Sequence, residues 1–278
     1  AELVIGLGAD VTSIDPHNNN AAPNNSIGEQ IFGKLIENDA RQNPKPGLAE
    51  SWRTVDDLTW EFKLRRGVKF HDGSDFTAAD VAFSIERPAI LNSPGGFTIF
   101  TRSIIEKTIV DPYTIRLKTA APYPNLPIDM SGLHIVSSKA AKGASSADFD
   151  SGKATIGTGP WKFVRYAKGD RIELVRNDNY WGAKPAWDKV TFRLITSDPS
   201  RIAALLSGDV QMIEIVPPAD YAKLKNNKDI TVFTTISNRM IHLHLDTSRD
   251  KSPFITDKAG RPLEKNPFKD ARVRKAVS

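Results

Sequence analysis

The chain has 278 residues, 40% hydrophobic and 26% charged, which is the usual composition of a globular protein able to bury a core. Its net charge is +5 and its 38 basic and 33 acidic residues are interspersed, so we expect a solvated basic surface and no nucleic-acid partner. The lack of cysteine excludes disulfides, thiolate catalysis and cysteine-ligated zinc, and no apolar run approaches the ~18–20 residues that span a bilayer.

The N-terminal segment predicts a strand, a loop and a helix. Residues 2–7 form a short apolar strand, and residues 12–25 form a loop because prolines and a run of asparagines favour turns. Ser26 and Glu29 match a capping box in front of apolar residues at four-residue spacing, which predicts a helix over 27–37.

The next segment predicts a connector, a strand and a second helix. Residues 43–52 form a connector punctuated by prolines, and residues 58–64 alternate apolar and polar residues as a half-buried strand does. Thr77 and Asp80 match a helix start, and the helix is predicted to end at Pro88.

The remaining sequence mixes hairpins with strand–helix units. The predicted hairpins cover 109–117 and 161–175, the predicted strands 191–195, 210–215, 231–235 and 240–245, and the predicted helices 199–207, 219–225 and the segment after Asp270. Asp198 and Gly208 are the predicted caps of the helix at 199–207. This order favours an α/β or α+β fold over a helical bundle or a β-sandwich.

Motifs for phosphate binding and nucleophilic catalysis are absent from the sequence. Residues 157–160, GTGP, lack the Lys and Ser/Thr of a phosphate loop, so we interpret them as a structural turn. The sequence also contains neither a Gly-x-Ser-x-Gly elbow nor a His-Glu-x-x-His motif.

Three histidines leave two interpretations open. His242 and His244 alternate in a predicted strand, so they either share in a metal site or are partly buried structural residues; the second is favoured because no third ligand is near. His71, in the turn KFHDG, either packs against the fold or acts as a general base. We therefore predict no metal site and no cofactor.

Several stretches carry a family signature in the same order along the chain. They are SIDPH (13–17), the segment from PGLAESW to SIER (46–87), VDPYTIRLKTAAPYP (110–124), IGTGPWKFVRYAKGDRIELVRNDNYWG (156–182), SGDVQMI (207–213) and PFKDARVRKAVS (267–278). Together they resemble the extracytoplasmic solute-binding proteins of peptide-type ABC importers, the dipeptide, oligopeptide and nickel-binding family known as family 5.

The resemblance implies an α/β fold of the periplasmic-binding-protein type II class, which has two lobes. It places residues 1–44 and 156–240 in the first lobe, residues 45–155 in an extra subdomain of that lobe, and residues 241–278 in the crossover and the start of the second lobe. The chain is accordingly expected to be a fragment that holds mostly the first lobe.

The resemblance also implies a binding function and no enzymatic one. A small solute, a di- or oligopeptide above all, is captured in the cleft between the lobes and delivered to the ABC permease in the membrane. The protein is expected to be a periplasmic monomer after removal of a signal peptide. The alternative is a hydrolase or metal-dependent enzyme that uses histidines, namely His71, His134, His242 and His244.

The same resemblance identifies candidate ligand-binding residues in the first lobe. They are Asn18, Asn19, Asn20, Phe97, Phe100, Ser131, Gly132 and His134. Asparagine amides both donate and accept hydrogen bonds, which suits a peptide backbone, and phenylalanine supplies apolar contact. From the residues alone, the asparagines also fit a plain turn and the two phenylalanines also fit a core.

Overall fold

The computed structural model describes residues 1–91, 96–235 and 242–277, and the chain divides into two units, Ala1–Thr234 and Thr235–Ser278. The strands are β1 (Glu2–Leu7), β2 (Ile36–Asn38), β3 (Pro44–Pro46), β4 (Ala49–Asp56), β5 (Thr59–Leu64), β6 (Ile104–Asp111), β7 (Thr114–Thr119), β8 (Trp161–Ala167), β9 (Arg171–Arg176), β10 (Lys189–Leu194) and β11 (Met212–Ile213). The helices are α1 (Ala22–Ile31), α2 (Ala78–Leu91), α3 (Leu126–Met130), α4 (Ser138–Ala141), α5 (Ser146–Asp150), α6 (Asp198–Ser207), α7 (Tyr221–Lys225) and α8 (Ala271–Val277). None of the described helices is both long and apolar enough to cross a membrane.

The first sheet has five strands in the order β11-β1-β10-β9-β8. The first strand, β1, pairs in parallel with β10 and β11, whereas β9 runs antiparallel to both β8 and β10. Its apolar face packs on α1, with Ile31, Phe149 and Leu174 fully buried in the shared core. The chain therefore leaves this sheet after β1 and returns to it only at β8.

The second sheet has four antiparallel strands in the order β4-β5-β7-β6 and lies within the excursion between β1 and β8. On its inner face Phe62 stands opposite Ile115, and both are fully buried in a core that also includes Val81 of α2. The strand predicted over 58–64 is confirmed as β5. One of its polar residues, Glu61, is nevertheless buried, because Arg53 and Arg116 both contact its carboxylate, at 3.0 and 2.9 Å.

The first helix was predicted too late in the chain. It begins at Ala22, and Pro23 occupies its first turn, where a missing N–H breaks no helical hydrogen bond. It ends at Ile31 because Phe32 is already extended (φ −112°, ψ 139°). The predictions of a loop as far as 25 and a helix over 27–37 are therefore wrong at these boundaries.

Two further boundary predictions are also wrong. The connector predicted over 43–52 contains β3 and the start of β4, because the prolines of β3 lie in a short strand that pairs with β2. The second helix starts where predicted, with the Thr77 N–H donating to Asp80 Oδ2 at 2.9 Å, but it continues through Pro88 to Leu91.

Both predicted hairpins are confirmed, as β6–β7 and β8–β9, and the predicted strand at 191–195 is β10. The helix at 199–207 is confirmed as α6, although Ser197 rather than Asp198 is its N-cap. Gly208 ends it with a φ of 83°, as predicted. The strand expected near 210–215 is the short β11, and the helix expected at 219–225 is a 3-10 turn (Pro218–Asp220) followed by α7.

The C-terminal part of the chain differs most from prediction. The strand predicted over 231–235 is not formed, nor is the described part (242–245) of the strand predicted over 240–245; residues 240 and 241 lie outside the described residues. The last helix is confirmed as α8, with Asp270 Oδ1 accepting from the N–H of Arg272 at 2.9 Å. The lobe boundaries predicted after residues 44, 155 and 240 stay predictions.

Candidate ligand-binding surface

A buried ion pair anchors the loop between β1 and α1. The two terminal guanidinium nitrogens of Arg87, near the end of α2, donate to the carboxylate of Asp15, at 2.6 and 2.8 Å. Both side chains are almost completely buried. Burial opposes ionisation of Asp15, but the hydrogen bonds and charge of Arg87 outweigh it and hold the pKa of this carboxyl below its ordinary value.

His17 extends this anchor to a second segment. Its Nδ1 accepts from Arg87 at 3.2 Å, and its Nε2 donates to the backbone oxygen of His134 at 2.8 Å, which corresponds to the neutral Nε2–H tautomer. Burial, together with the charge of Arg87, lowers the pKa of His17 to about 4. The loop is therefore fixed to α2 and to the segment 131–134 by contacts within the chain.

The three asparagines follow directly on this anchored loop. The Asn18 amide donates to Ser146 Oγ at 3.1 Å, and the Asn19 amide donates to Thr12 Oγ1 at 3.2 Å. The Asn20 oxygen accepts from the Asn25 side chain at 2.9 Å. Within the described residues, the Asn19 oxygen and the Asn20 amide nitrogen have no side-chain partner. The loop thus offers the Asn19 oxygen as an acceptor and the Asn20 amide as a donor at its surface.

An aromatic cluster lies beside the loop. The ring of Phe97 is buried, with its centroid 5.8 Å from that of His17 and 5.8 Å from that of Phe100. Phe100 is half-buried and covers Gly132 so closely that a Cβ added there would overlap its ring. Gly132 is therefore required for Phe100 to lie flat against this segment.

Ser131 and His134 lie behind this surface. Ser131 Oγ donates to the backbone oxygen of Ile128 at 2.7 Å and accepts from Asn38 at 3.2 Å. His134 is 1% exposed, and neither of its ring nitrogens has a hydrogen-bond partner in the described part of the chain. Burial lowers the pKa of His134 well below its ordinary value, and the charge of Lys34 adds to this effect.

The structure brings Phe97, Phe100, Gly132 and His134 into one cluster and joins it to the asparagine loop through His17. Five of the eight predicted residues are at least partly exposed: Asn18, Asn19, Asn20, Phe100 and Gly132. Sequence reasoning did not identify the anchor formed by Asp15, His17 and Arg87, although the motif SIDPH contains two of its members. Amides beside an aromatic ring suit recognition of a polar backbone with apolar side chains.

The histidines of the enzyme alternative lie in separate surroundings. His71 Nδ1 accepts from the Gly157 N–H at 3.3 Å, and its Nε2 donates to the Gly159 oxygen at 3.1 Å, so both ring nitrogens are bound to the backbone. Burial lowers the pKa of His71 to about 4. His242 and His244 are exposed, not partly buried as predicted. In residues 1–91, 96–235 and 242–277, no group of three or more histidines and carboxylates is placed to hold a metal ion.

Comparison with known proteins gives one family. The sequence matches the family model "Bacterial extracellular solute-binding proteins, family 5 Middle" over residues 43–278. The glutathione-binding protein GsiB of Salmonella choleraesuis is 25% identical over 279 residues, which cover 100% of this chain and 54% of GsiB. The oligopeptide-binding protein AppA of Bacillus subtilis is 27% identical over 285 residues, which cover 100% of this chain and 49% of AppA.

A solved structure agrees with the sequence comparisons. The ABC transporter-associated periplasmic binding protein DppA of Helicobacter pylori, in complex with the peptide STSA, superposes with a TM-score of 0.71 at 27% identity, over 82% of this chain and 49% of DppA. This match confirms the predicted α/β fold of periplasmic-binding-protein type. The chain spans about half the length of the curated relatives it matches. The hydrolase alternative has no support among these relatives, and the chain belongs to family 5 of the bacterial extracellular solute-binding proteins.

Proposed function

We propose that the chain supplies one wall of the solute cleft in the substrate-binding component of an ABC importer, with a di- or oligopeptide as cargo. The observation that carries this proposal is the family match over residues 43–278. The choice of peptide is supported by the relatives, since AppA is named for oligopeptides and DppA is in complex with the peptide STSA. The compartment that goes with this role is the periplasm, and the partner is the membrane permease.

The exposed groups of the candidate surface suit this cargo. The free oxygen of Asn19 accepts from a peptide N–H, and the free amide nitrogen of Asn20 donates to a peptide carbonyl. The half-buried ring of Phe100 offers apolar contact to a peptide side chain. Phe97 and His134 then support Phe100 from beneath rather than touching the ligand.

The ion pair beneath the loop contributes to binding by preorganisation. Because Arg87 and His17 hold the loop through contacts within the chain, little conformational entropy is lost when a peptide binds. In a two-lobed protein, a ligand that contacts both lobes only in the closed form stabilises that form, which the permease then recognises. The chain's own part in this cycle is to present a rigid first wall.

The proposal is tested by titrating the isotope-labelled chain with trialanine and monitoring the titration by NMR. We expect saturable shifts of the signals of residues 18–20 and Phe100, and we expect Asn20→Ala to weaken binding at least threefold. Asn226→Ala, which removes an exposed asparagine at the end of α7, is the matched control and leaves binding unchanged. The peptide is recovered intact, as a binding protein requires. Shifts confined to other regions, or cleavage of trialanine, reject the proposal.

A further inference from the structure

The first sheet has one side that faces away from the core. Ile172 of β9 and Phe192 of β10 point into the core, so Arg171 and Arg193, which alternate with them, point to the opposite, outer side. The side chain of Arg171 is 41% exposed there. Helix α6 packs on β1 and β11, at the far edge of the sheet from β8 and β9.

Three arginines on this outer side are neighbours across the strands. Arg193 of β10 stands directly opposite Arg171 of β9, where two like charges repel. Arg165 of β8 stands opposite Glu173, two residues further along β9, so it is a diagonal neighbour of Arg171. Adjacent strands lie about 4.8 Å apart, so the backbones that carry the three arginines span about 10 Å. The strand register therefore concentrates positive charge at this end of the sheet.

Positive charge also predominates when the acidic residues of the outer side are counted. We call this surface, together with the turn between β8 and β9, the basic face. Its six cations are Lys162, Arg165, Lys168, Arg171, Lys189 and Arg193, and its three anions are Glu2, Asp170 and Glu173. The formal charge of the basic face is therefore +3.

The anions of the basic face are already paired within it. Asp170 pairs with Arg171 at 2.8 Å, and Lys189 pairs with both Glu2 and Glu173, at 3.4 and 3.1 Å. Flanking ion pairs add no net charge: Asp198 pairs with Arg201, and Asp178 and Asp188 pair with Arg176 and the terminal ammonium. Asp10 lies beside Tyr166, on the core side of the sheet.

The surplus charge is presented in a form that suits phosphate groups in a plane. A guanidinium group binds two phosphate oxygens through parallel N–H donors. Because a sheet holds the side chains of one face in a single layer, Arg165, Lys168 and Arg193 can contact a flat array of phosphates together, which a single small anion does not offer. Val175, in the same layer and 37% exposed, adds an apolar contact. Charge and shape therefore both favour the headgroup layer of an anionic membrane.

We propose that the basic face binds peripherally to the anionic phospholipid headgroups of a membrane surface, with Arg165, Lys168 and Arg193 supplying the attraction. Each cation at such a surface strengthens binding by about fivefold, and the attraction weakens in salt because it decays within about 10 Å at 0.1 M ionic strength. This inference goes beyond the proposed peptide binding, because the basic face contains none of the eight candidate ligand-binding residues.

The test is sedimentation of the chain with vesicles, in the absence of peptide. We expect the chain to sediment at low salt with vesicles of phosphatidylglycerol and phosphatidylcholine in equal parts, and to stay in solution with phosphatidylcholine alone. High salt releases it from the mixed vesicles. No sedimentation with the mixed vesicles, equal sedimentation with both kinds, or binding that salt does not weaken overturns the proposal.

Two triple variants with the same change in net charge locate the contact. The first combines Arg165→Gln, Lys168→Gln and Arg193→Gln, and we expect it to bind the mixed vesicles at least about tenfold more weakly. The control combines Lys139→Gln, Lys142→Gln and Lys153→Gln, which are exposed cations beside α4 and α5, the helices that pack on the core side of the sheet. The control binds like the parent chain. Equal weakening in the two triple variants rejects the basic face as the contact.

A thermal unfolding measurement shows that the first triple variant is folded. Arg193→Gln removes the repulsion from Arg171, so we expect its thermal midpoint to be no lower than that of the parent chain. A further variant, Arg165→Lys with Arg193→Lys, keeps the charge of the face, and we expect it to sediment with the mixed vesicles. Loss of its binding overturns the electrostatic attraction on which the proposal depends.

Discussion

At the scale of single residues, the buried pair of Asp15 and Arg87 anchors the loop that leads into the three asparagines. Arg87→Leu leaves the Asp15 carboxylate buried without its partner, so we expect the free energy of unfolding to fall by about 3–5 kcal/mol. Urea denaturation measures this change. The double variant with Asp15→Asn recovers a large part of the loss, since no uncompensated charge remains. A loss below about 1 kcal/mol in the single variant contradicts this account.

His71 makes stability depend on pH. Its pKa is lowered from an ordinary value of 6.5 to about 4 in the folded state, so the unfolded chain binds a proton that the native state does not. Stability is therefore complete above pH 6.5 and falls as the pH decreases towards 4, with about 2 kcal/mol lost by about pH 5. His17 and His134 act in the same direction, because burial lowers the pKa of each.

The contribution of His71 is isolated by His71→Asn. The asparagine oxygen replaces Nδ1 as the acceptor for Gly157 but does not titrate. Denaturation curves at several pH values measure the effect, and we expect the variant to lose about 2 kcal/mol less than the parent chain between about pH 7 and pH 5. Parallel pH profiles for the two proteins are the result that contradicts the assignment.

At the scale of elements, the turn at 157–160 is held by close packing against α1. The Gly159 N–H donates to the Ile31 oxygen at 2.9 Å, and a Cβ at Gly157 would overlap the same carbonyl. We expect Gly157→Ala to lower the free energy of unfolding by about 3 kcal/mol or more. Gly169→Ala, in the open turn between β8 and β9, costs only about 1 kcal/mol of strain. Similar losses in the two variants, measured by denaturation, contradict the packing argument.

Elements specified by local chemistry were predictable from the sequence, and those specified by distant contacts were not. The β8–β9 hairpin follows from Lys168, Gly169 and Asp170 at its turn, and α6 follows from its caps. By contrast, residues 231–235 and 242–245, which the sequence predicts to be parts of strands, form none. The sequence does not predict the start of α1, because Pro23 is typical of a break in regular structure, whereas here it occupies the first turn of the helix.

The candidate site shows the same division. The asparagine loop and Phe100 are predicted from the family resemblance, whereas the burial of Phe97 and His134 depends on packing between segments far apart in the chain. The partners Asp15 and Arg87 are 72 residues apart, so no local pattern joins them.

At the scale of the whole molecule, the two units differ in what their interiors contain. The unit from Thr235 to Ser278 buries the polar side chains of Ser252 and Asn266, and none of its described hydrophobic side chains is buried. We therefore expect its amides to exchange with opening free energies of about 0–1 kcal/mol, whereas those of β10 exchange only through global unfolding. Hydrogen exchange followed by mass spectrometry measures both. Slow exchange throughout 246–270 contradicts the expectation.

The described residues of the C-terminal unit bury no apolar side chain, and this bears on how tightly the chain binds peptide. A Kd of about 1 μM corresponds to a binding free energy of about 8 kcal/mol. If the two walls of the cleft contribute equally, one wall alone provides about 4 kcal/mol, which corresponds to a Kd of about 1 mM. The described residues of the C-terminal unit have no buried apolar side chains to support a second wall, so we expect the 278-residue chain to bind trialanine only at millimolar concentrations. Calorimetry measures this affinity. Sub-micromolar binding by this chain is the result that contradicts a cleft shared between two walls.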